Sequence, residues 1–363
     1  MQNWSFFNPV NIRFGWGCAA ETADVLRAMG LKRAALVVSP SALRFGLTDI
    51  VTGPAPQLFI EEEIFARMQP NPTVQNMMDC AAFLARVKAD AVVAIGGGSA
   101  LDCAKAAAGG LPVIALPATA GTGSEATCIS VLTDVDARRK VPRADPAMYP
   151  AAALVDPALT LTVPPGVTAA TGMDALSHAV EALWSIHHNP AADALALRAV
   201  PRILQNIETA YANPEDKSAR TALSEGSLLA AMAFSQAKTA AAHACSFPLT
   251  VRYGLPHGTA CAFTLPALCR INAPAEDGRL HAIARALGFA GGSERDAAFA
   301  LADELDRLNA ALRLPRTLQA AGIPVSDLPD LALECLEPPN IRNNPVPMDA
   351  AAVEAMFMGL AGE

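Results

Sequence analysis

The sequence predicts a doubly wound α/β domain with a parallel sheet, followed by an all-helical domain. Three observations carry this expectation. Short apolar runs alternate with amphipathic segments through the first half of the chain. The alternation stops near Thr162-Val163-Pro164-Pro165-Gly166. Beyond that point Ala- and Leu-rich helical pattern continues with almost no strand signal. We therefore place a boundary at residue 163, giving a dinucleotide-binding domain over 1–163 and a helical, metal-binding and catalytic domain over 164–363.

Taken in order, Glu21–Met29 reads as a helix and Ala34–Val38 (AALVV) as a strand. Val74–Val87 reads as the next helix, with strands at Ala91–Ile95 (AVVAI) and Val113–Leu116 (VIAL). Apolar runs this short and uniform fit strands buried on both faces of a parallel sheet. In the second half, Pro338–Pro347 (PPNIRNNPVP) is the densest turn cluster; it fits a rigid loop lining a site and a surface loop equally well.

Composition narrows the function classes. The 363 residues are 52% hydrophobic and 17% charged, enough to bury a large core of mostly aliphatic side chains. Net charge is −8 and no basic run exceeds Arg138-Arg139-Lys140, which argues against nucleic-acid binding. The 8 cysteines include no CxxC pair, a usage that fits reduced thiols and a cytoplasmic protein. The N-terminus lacks a charged segment followed by an apolar one, so no signal peptide is expected. No membrane span is expected either: the nearest approach, Leu228 to Ala244, is interrupted by Gln236, Lys238 and His243. We expect a homodimer.

Four residues suggest a metal centre. Asp174 and His178, in TGMDALSHAVEA, are spaced i, i+4 and project from one helix face. His243 follows in AAAHACSF, and His257 in GLPHGTA, a stretch that reads as a turn between helices. One carboxylate with three imidazoles suits a divalent first-row metal. A helix-surface pair with two unrelated histidines is the plainer alternative, but only six histidines exist and three of them fall in these contexts.

Two loops suggest a phosphate cradle. Gly96-Gly97-Gly98-Ser99 follows a strand and opens a helix, where close backbone approach and a positive helix end suit a pyrophosphate. The string is not GxGxxG, and a tight turn alone would also explain it. Leu116-Pro117-Ala118-Thr119-Ala120-Gly121-Thr122-Gly123-Ser124-Glu125 also follows a strand, and two such loops at neighbouring strand ends mark the ligand crevice of an open sheet.

GGGS-x-x-D (ending at Asp102), TAGTGSE, ALVDP, GMDALSHAVEA and PHG, in this order from Asn8-Pro9-Val10 to about Pro266, resemble the iron-dependent (group III) alcohol dehydrogenases. The resemblance implies a nucleotide-binding α/β domain, a helical domain and a cleft between them. It also implies Fe²⁺, or in some members Zn²⁺, on the residues matching Asp174, His178, His243 and His257, with NAD(P)H as hydride carrier. Cofactor contacts would come from Ser39, Gly96, Gly97, Gly98, Ser99, Asp102, Thr119 and Thr122, and from Lys140 near the nicotinamide; a solvated basic run is the alternative for Lys140. Ser235–His243 (SQAKTAAAH), Ser246–Thr250 (SFPLT) and Asn340–Val346 (NIRNNPV) are similar to the phosphonoacetaldehyde reductase-like branch.

The sequence departs from the family pattern in three places. Phe247 occupies the position where many members place a proton-relay histidine, so no catalytic proton donor is assigned. Ala118 replaces the first threonine of a common TTAGTGSE. Ser39-Pro40-Ser41 stands where many NAD-specific members carry a carboxylate for the ribose; with Arg44 nearby, a 2′-phosphate is allowed and NADH is not excluded.

In such an enzyme the cation stabilises charge on the carbonyl or alkoxide oxygen during hydride transfer to or from the nicotinamide. The small aldehyde or alcohol would be polar, phosphonoacetaldehyde being the leading candidate, and Arg143, Arg252 and Arg342 are available to meet an anion. Competing readings are a broad short-chain alcohol or diol dehydrogenase, a cyclase of the dehydroquinate synthase type, and a metal-free binding protein.

Overall fold

The computed structural model describes residues 3–60, 63–137, 139–275, 278–289 and 292–362. Arg138, the first residue of the basic run, lies outside them. The chain divides into two compact units. One comprises Phe7–Val163 and Pro214–Leu228, and the other Met1–Phe6, Pro164–Asn213 and Leu229–Glu363. Residues 214–228 therefore group with the α/β part rather than with the helices around them in sequence.

The α/β unit is built on strands β1 (Asn11–Phe14), β2 (Ala34–Val38), β3 (Ala91–Gly96), β4 (Val113–Pro117), β5 (Ile129–Asp134), β6 (Arg139–Ala144) and β7 (Ala152–Val155). Five of them form a sheet in the order β1-β7-β4-β3-β2, every pair parallel. β2, β3, β4 and β7 are buried throughout, because apolar side chains pack on both faces. Leu36, Val38, Val93, Ile95, Ile114 and Leu116 fill one face. Val37, Val92, Ala94, Val113 and Ala115 fill the other, as the period of 2 requires. All three predicted strands are present, two of them one residue longer than expected. The Val74–Val87 helix is present with those bounds, held at its start by a reciprocal Thr73–Asn76 cap. Where one helix was expected at Glu21–Met29, a 3₁₀ turn, Cys18–Glu21, precedes a helix at Thr22–Ala28.

β1, β7 and the antiparallel hairpin β5–β6 were not anticipated. The hairpin changes the setting of Lys140, which is a strand residue opposite Thr133 rather than part of a solvated basic run.

Among the described residues no strand follows β7. The helical unit is centred on Pro165–Trp184, whose residues from Met173 to Trp184 are all buried. A helix buried on every side marks the middle of a core. It packs against the helix His257–Asn272, which in turn packs against Ala241–Tyr253 and Glu294–Ala311. Among the described residues no helix is long and apolar enough to cross a membrane, and all 8 cysteines are free thiols.

Candidate metal centre and cofactor-binding loops

The Asp174 helix, the His243 helix (Ala241–Tyr253) and the His257 helix meet in the interior of the helical unit. His257 is the first residue of its helix: Gly254, at φ 70, ends the preceding helix and Pro256 stands at the N-cap of the next. Gly258 allows the approach. A Cβ there would overlap the Ala170 carbonyl and lie 2.8 Å from Asp174 Cβ.

Asp174 Oδ1 is 3.6 Å from both His243 Nε2 and His257 Nε2. Asp174 is 2% exposed and His243 4%. Asp174 Oδ1 and His243 Nε2 are buried and have no hydrogen-bond partner. Orphaned polar atoms at such a position cost free energy unless something positive lies between them. A separation of 3.6 Å matches two donor atoms that share an ion about 2.0–2.2 Å from each.

The outer ring nitrogens are already committed. Glu181, fully buried, accepts from His243 Nδ1 at 2.5 Å and from the amides of Ala240 and Ala242 at 2.9 and 2.6 Å. Ser246 Oγ donates to the His243 carbonyl at 2.7 Å, so it can accept from His257 Nδ1 at 3.1 Å. Both rings are thereby held in the tautomer whose Nε2 lone pair faces Asp174, the usual arrangement around a ligating histidine.

Electrostatics agrees with a cation-seeking cluster. Burial alone would raise the Asp174 pKa, but the charges of His178, His257 and His243 outweigh it and hold the carboxyl well below the ordinary range. Burial likewise opposes the charged forms of His243 and His257, yet Cys261 and the neighbouring carboxylates raise both above the ordinary imidazole value. A metal ion and imidazole protons are alternative sources of the same positive charge, and binding the ion releases the protons.

The cluster differs from the predicted set in one respect. Asp174, His243, His257 and Cys261 each offer a ligand atom, all within 4.8 Å of one another. His178 lies beside them, its ring stacked 4.3 Å from His243 and 4.1 Å from Phe234, but it is outside that mutual set. Cys261 and Glu181 were missed. Glu181 continues a pattern already in hand, following Asp174 and His178 at i+7 and i+3, whereas Cys261 follows His257 at i, i+4 in a stretch expected to be a turn. Phe247 does stack on His257, with ring centroids 6.0 Å apart.

In the α/β unit, the segments after β2, β3 and β4 leave neighbouring strands at the same edge, with Val38 paired to Ile95 and Gly96 to Pro117. Gly96 has φ +152, and a Cβ there would lie 2.8 Å from both Ser39 Cβ and Ala100 Cβ. Thr119 packs on Gly97 and Thr122 on Gly98, so the glycines admit the second loop as well as any ligand. The helix Gly98–Ala107 has Gly97 as its N-cap and no side chain capping it. The Ala100 amide donates to the Gly97 carbonyl at 3.0 Å, and the amides of Gly98 and Ser99, which start the helix ahead of it, are the ones that could meet an anion.

Among the predicted polar cofactor residues, Ser39, Asp102 and Lys140 are engaged internally. Asp102 accepts from Ser124 Oγ at 2.5 Å and from the Val131 amide at 2.8 Å, tying the two loops and β5 together. Lys105, unpredicted and buried, lies beneath them and donates to the carbonyls of Ser124, Thr127 and Ile129. Ser39 caps the helix Pro40–Arg44 by accepting from the Ala42 amide. Lys140 Nζ donates to Asn71 Oδ1 at 2.6 Å and Thr133 Oγ1 at 3.2 Å, and burial lowers its pKa to about 8. Arg44 is exposed, its guanidinium 4.9 Å over the Phe45 ring.

The arginines separate. Arg143 is exposed on β6. Arg252 is neutralised by Glu334 at 3.0 Å and Asp327 at 3.2 Å. Arg342 is exposed and makes no ion pair among the described residues. Its loop is fastened to the segment preceding the His243 helix: Asn343 donates to the Thr239 carbonyl at 2.7 Å, and Asn340 to the Ala240 carbonyl at 3.3 Å.

Comparison with known proteins accounts for both units. Residues 9–157 match the iron-containing alcohol dehydrogenases, and residues 168–360 match the C-terminal part of the same family. The chain is 35% identical to a long-chain-alcohol dehydrogenase of Geobacillus thermodenitrificans, over 97% of this chain and 95% of that protein. It is 33% identical to 1,3-propanediol dehydrogenase of Klebsiella pneumoniae, over 95% of each. Among solved structures it is similar to sulfoacetaldehyde reductase from Bifidobacterium kashiwanohense in complex with NAD⁺, at 36% identity and a TM-score of 0.92 over the whole of both chains. The chain thus belongs to the iron-containing alcohol dehydrogenase family and is an NAD(P)-dependent oxidoreductase of the Fe²⁺ type.

Proposed function

We propose that this enzyme reduces a small, anionic aldehyde to its primary alcohol, with phosphonoacetaldehyde to 2-hydroxyethylphosphonate as the leading reaction. In the metal centre, Asp174, His178, His243 and His257 would hold the ion. When bound, the cation supplies charge stabilisation at the carbonyl oxygen and the nicotinamide supplies hydride. The chain's part is to hold the ligands in register through Glu181 and Ser246, and to cradle the pyrophosphate on the first-turn amides after Gly97. Phe247 puts an apolar ring against His257, so the proton that completes the alcohol comes from another source.

The observation that carries the substrate class is Arg342. It is an exposed, unneutralised guanidinium on the loop fastened beside the His243 helix, and one of the proteins whose structures resemble this chain end to end is named for an anionic aldehyde. Arg252 is set aside for this role because two carboxylates already engage it. A broad short-chain alcohol or diol dehydrogenase is the second reading, favoured by similarity to 1,3-propanediol dehydrogenase.

The test is a panel of phosphonoacetaldehyde, sulfoacetaldehyde, butanal and 3-hydroxypropanal with NADH and NADPH. The anionic aldehydes should give the highest kcat/KM, and Arg342→Ala should raise their KM about tenfold or more while leaving butanal nearly unchanged. A higher kcat/KM for butanal than for both anionic aldehydes would favour the second reading.

A further inference from the structure

We infer that Cys261 is a thiolate ligand of the metal, which makes this a mixed carboxylate, imidazole and sulfur centre. The inference deepens the metal reading above and rests on it.

Four observations point the same way. Cys261 is fully buried on the helix that His257 begins, and i, i+4 spacing brings both side chains to one face. Its Sγ is 4.0 Å from His257 Nε2 and belongs to the group of four ligand atoms lying within 4.8 Å of one another. An ion about 2.3 Å from sulfur and about 2.1 Å from nitrogen spans the 4.0 Å separation. The remaining members, Asp174 Oδ1 and His243 Nε2, are buried, unpartnered and 3.6 Å apart.

The consequence concerns metal choice. A soft thiolate favours Zn²⁺, Co²⁺ and Fe²⁺ over hard ions such as Mg²⁺, which prefer oxygen. Sulfur in place of an all-oxygen-and-nitrogen shell should widen the preference for borderline-soft metals at this site.

The test is Co²⁺ titration of metal-stripped protein, read by absorbance, with cadmium NMR on the wild type as a second measurement that needs no variant. The wild type should bind one equivalent and show an intense near-ultraviolet thiolate-to-cobalt band. Cys261→Ser should lose that band, keep the weaker visible bands, and bind Co²⁺ about tenfold or more less tightly. Cadmium bound to the wild type should resonate in the range of a sulfur-containing shell. A band that persists in Cys261→Ser, or wild-type cobalt and cadmium spectra typical of nitrogen and oxygen ligands alone, would overturn the inference and leave the metal centre standing. Failure of the wild type to bind either ion would overturn both.

Discussion

The two sites are built on opposite plans. The loops of the α/β unit present backbone, whereas the centre of the helical unit presents side chains. In the α/β unit, three polar side chains suited to a ligand are already engaged: Asp102 with Ser124 and Val131, Ser39 with Ala42, and Lys140 of β6 with Asn71 and Thr133. The helix start after Gly97, by contrast, is uncapped by any side chain. At the metal centre the outer nitrogens of His243 and His257 are engaged, and the inner atoms are left over. In both places the groups that internal hydrogen bonding leaves unmatched are the ones able to meet a ligand.

If the metal centre depends on side chains held from behind, Glu181 is its most sensitive support. Glu181→Ala leaves the amides of Ala240 and Ala242 and His243 Nδ1 without their acceptor. It should destabilise the helical unit by about 3–5 kcal/mol, seen as a lower denaturation midpoint. The milder Glu181→Gln keeps shape and should fold, with metal affinity reduced about 10–100-fold by competition titration. Unchanged affinity in Glu181→Gln would mean that the ligands do not need this support.

The loops should fail differently. In Gly98→Ala the new Cβ would meet Thr122 Cγ2 at 2.6 Å and displace the second loop, a strain of about 1–3 kcal/mol. Cofactor Kd should rise about tenfold or more with metal content unchanged, and adding Thr122→Ser should restore part of the loss. No rescue would place the damage elsewhere than the Gly98–Thr122 contact.

The smallest effect expected is at Phe247. The wild-type rate should show little titration near neutrality, and Phe247→His should introduce a pH dependence of kcat/KM centred near the ordinary imidazole value of about 6.5. An identical pH profile in both proteins would show that this position does not reach the proton's path.

How much of this was legible in the sequence follows from burial. β2, β3 and β4 are covered on both faces, so each is a continuous apolar run that reads as a strand by itself. β6 (RKVPRA) is largely exposed and carries three charges and a proline, and nothing in such a string announces a strand. Asp174 and His178 were visible as a spaced pair, and Glu181 extends the same helix face one turn further. Cys261 becomes visible only once His257 is known to open a helix rather than lie within a turn. Arg252 illustrates the limit. Its partners Asp327 and Glu334 lie 75 and 82 residues away in sequence, and no local pattern reveals that its charge is spent.

Separability of the two sites is tested most directly by a crossed titration. NADH binding by fluorescence and metal content by elemental analysis would be measured on wild type, Gly97→Val and Asp174→Ala. Gly97→Val should retain about one metal per chain and lose NADH binding, because its branched side chain meets Thr119 and blocks the cradle. Asp174→Ala should lose the metal and still bind NADH. Wild-type NADH affinity in Gly97→Val, or wild-type metal content in Asp174→Ala, would contradict the assignment of those sites.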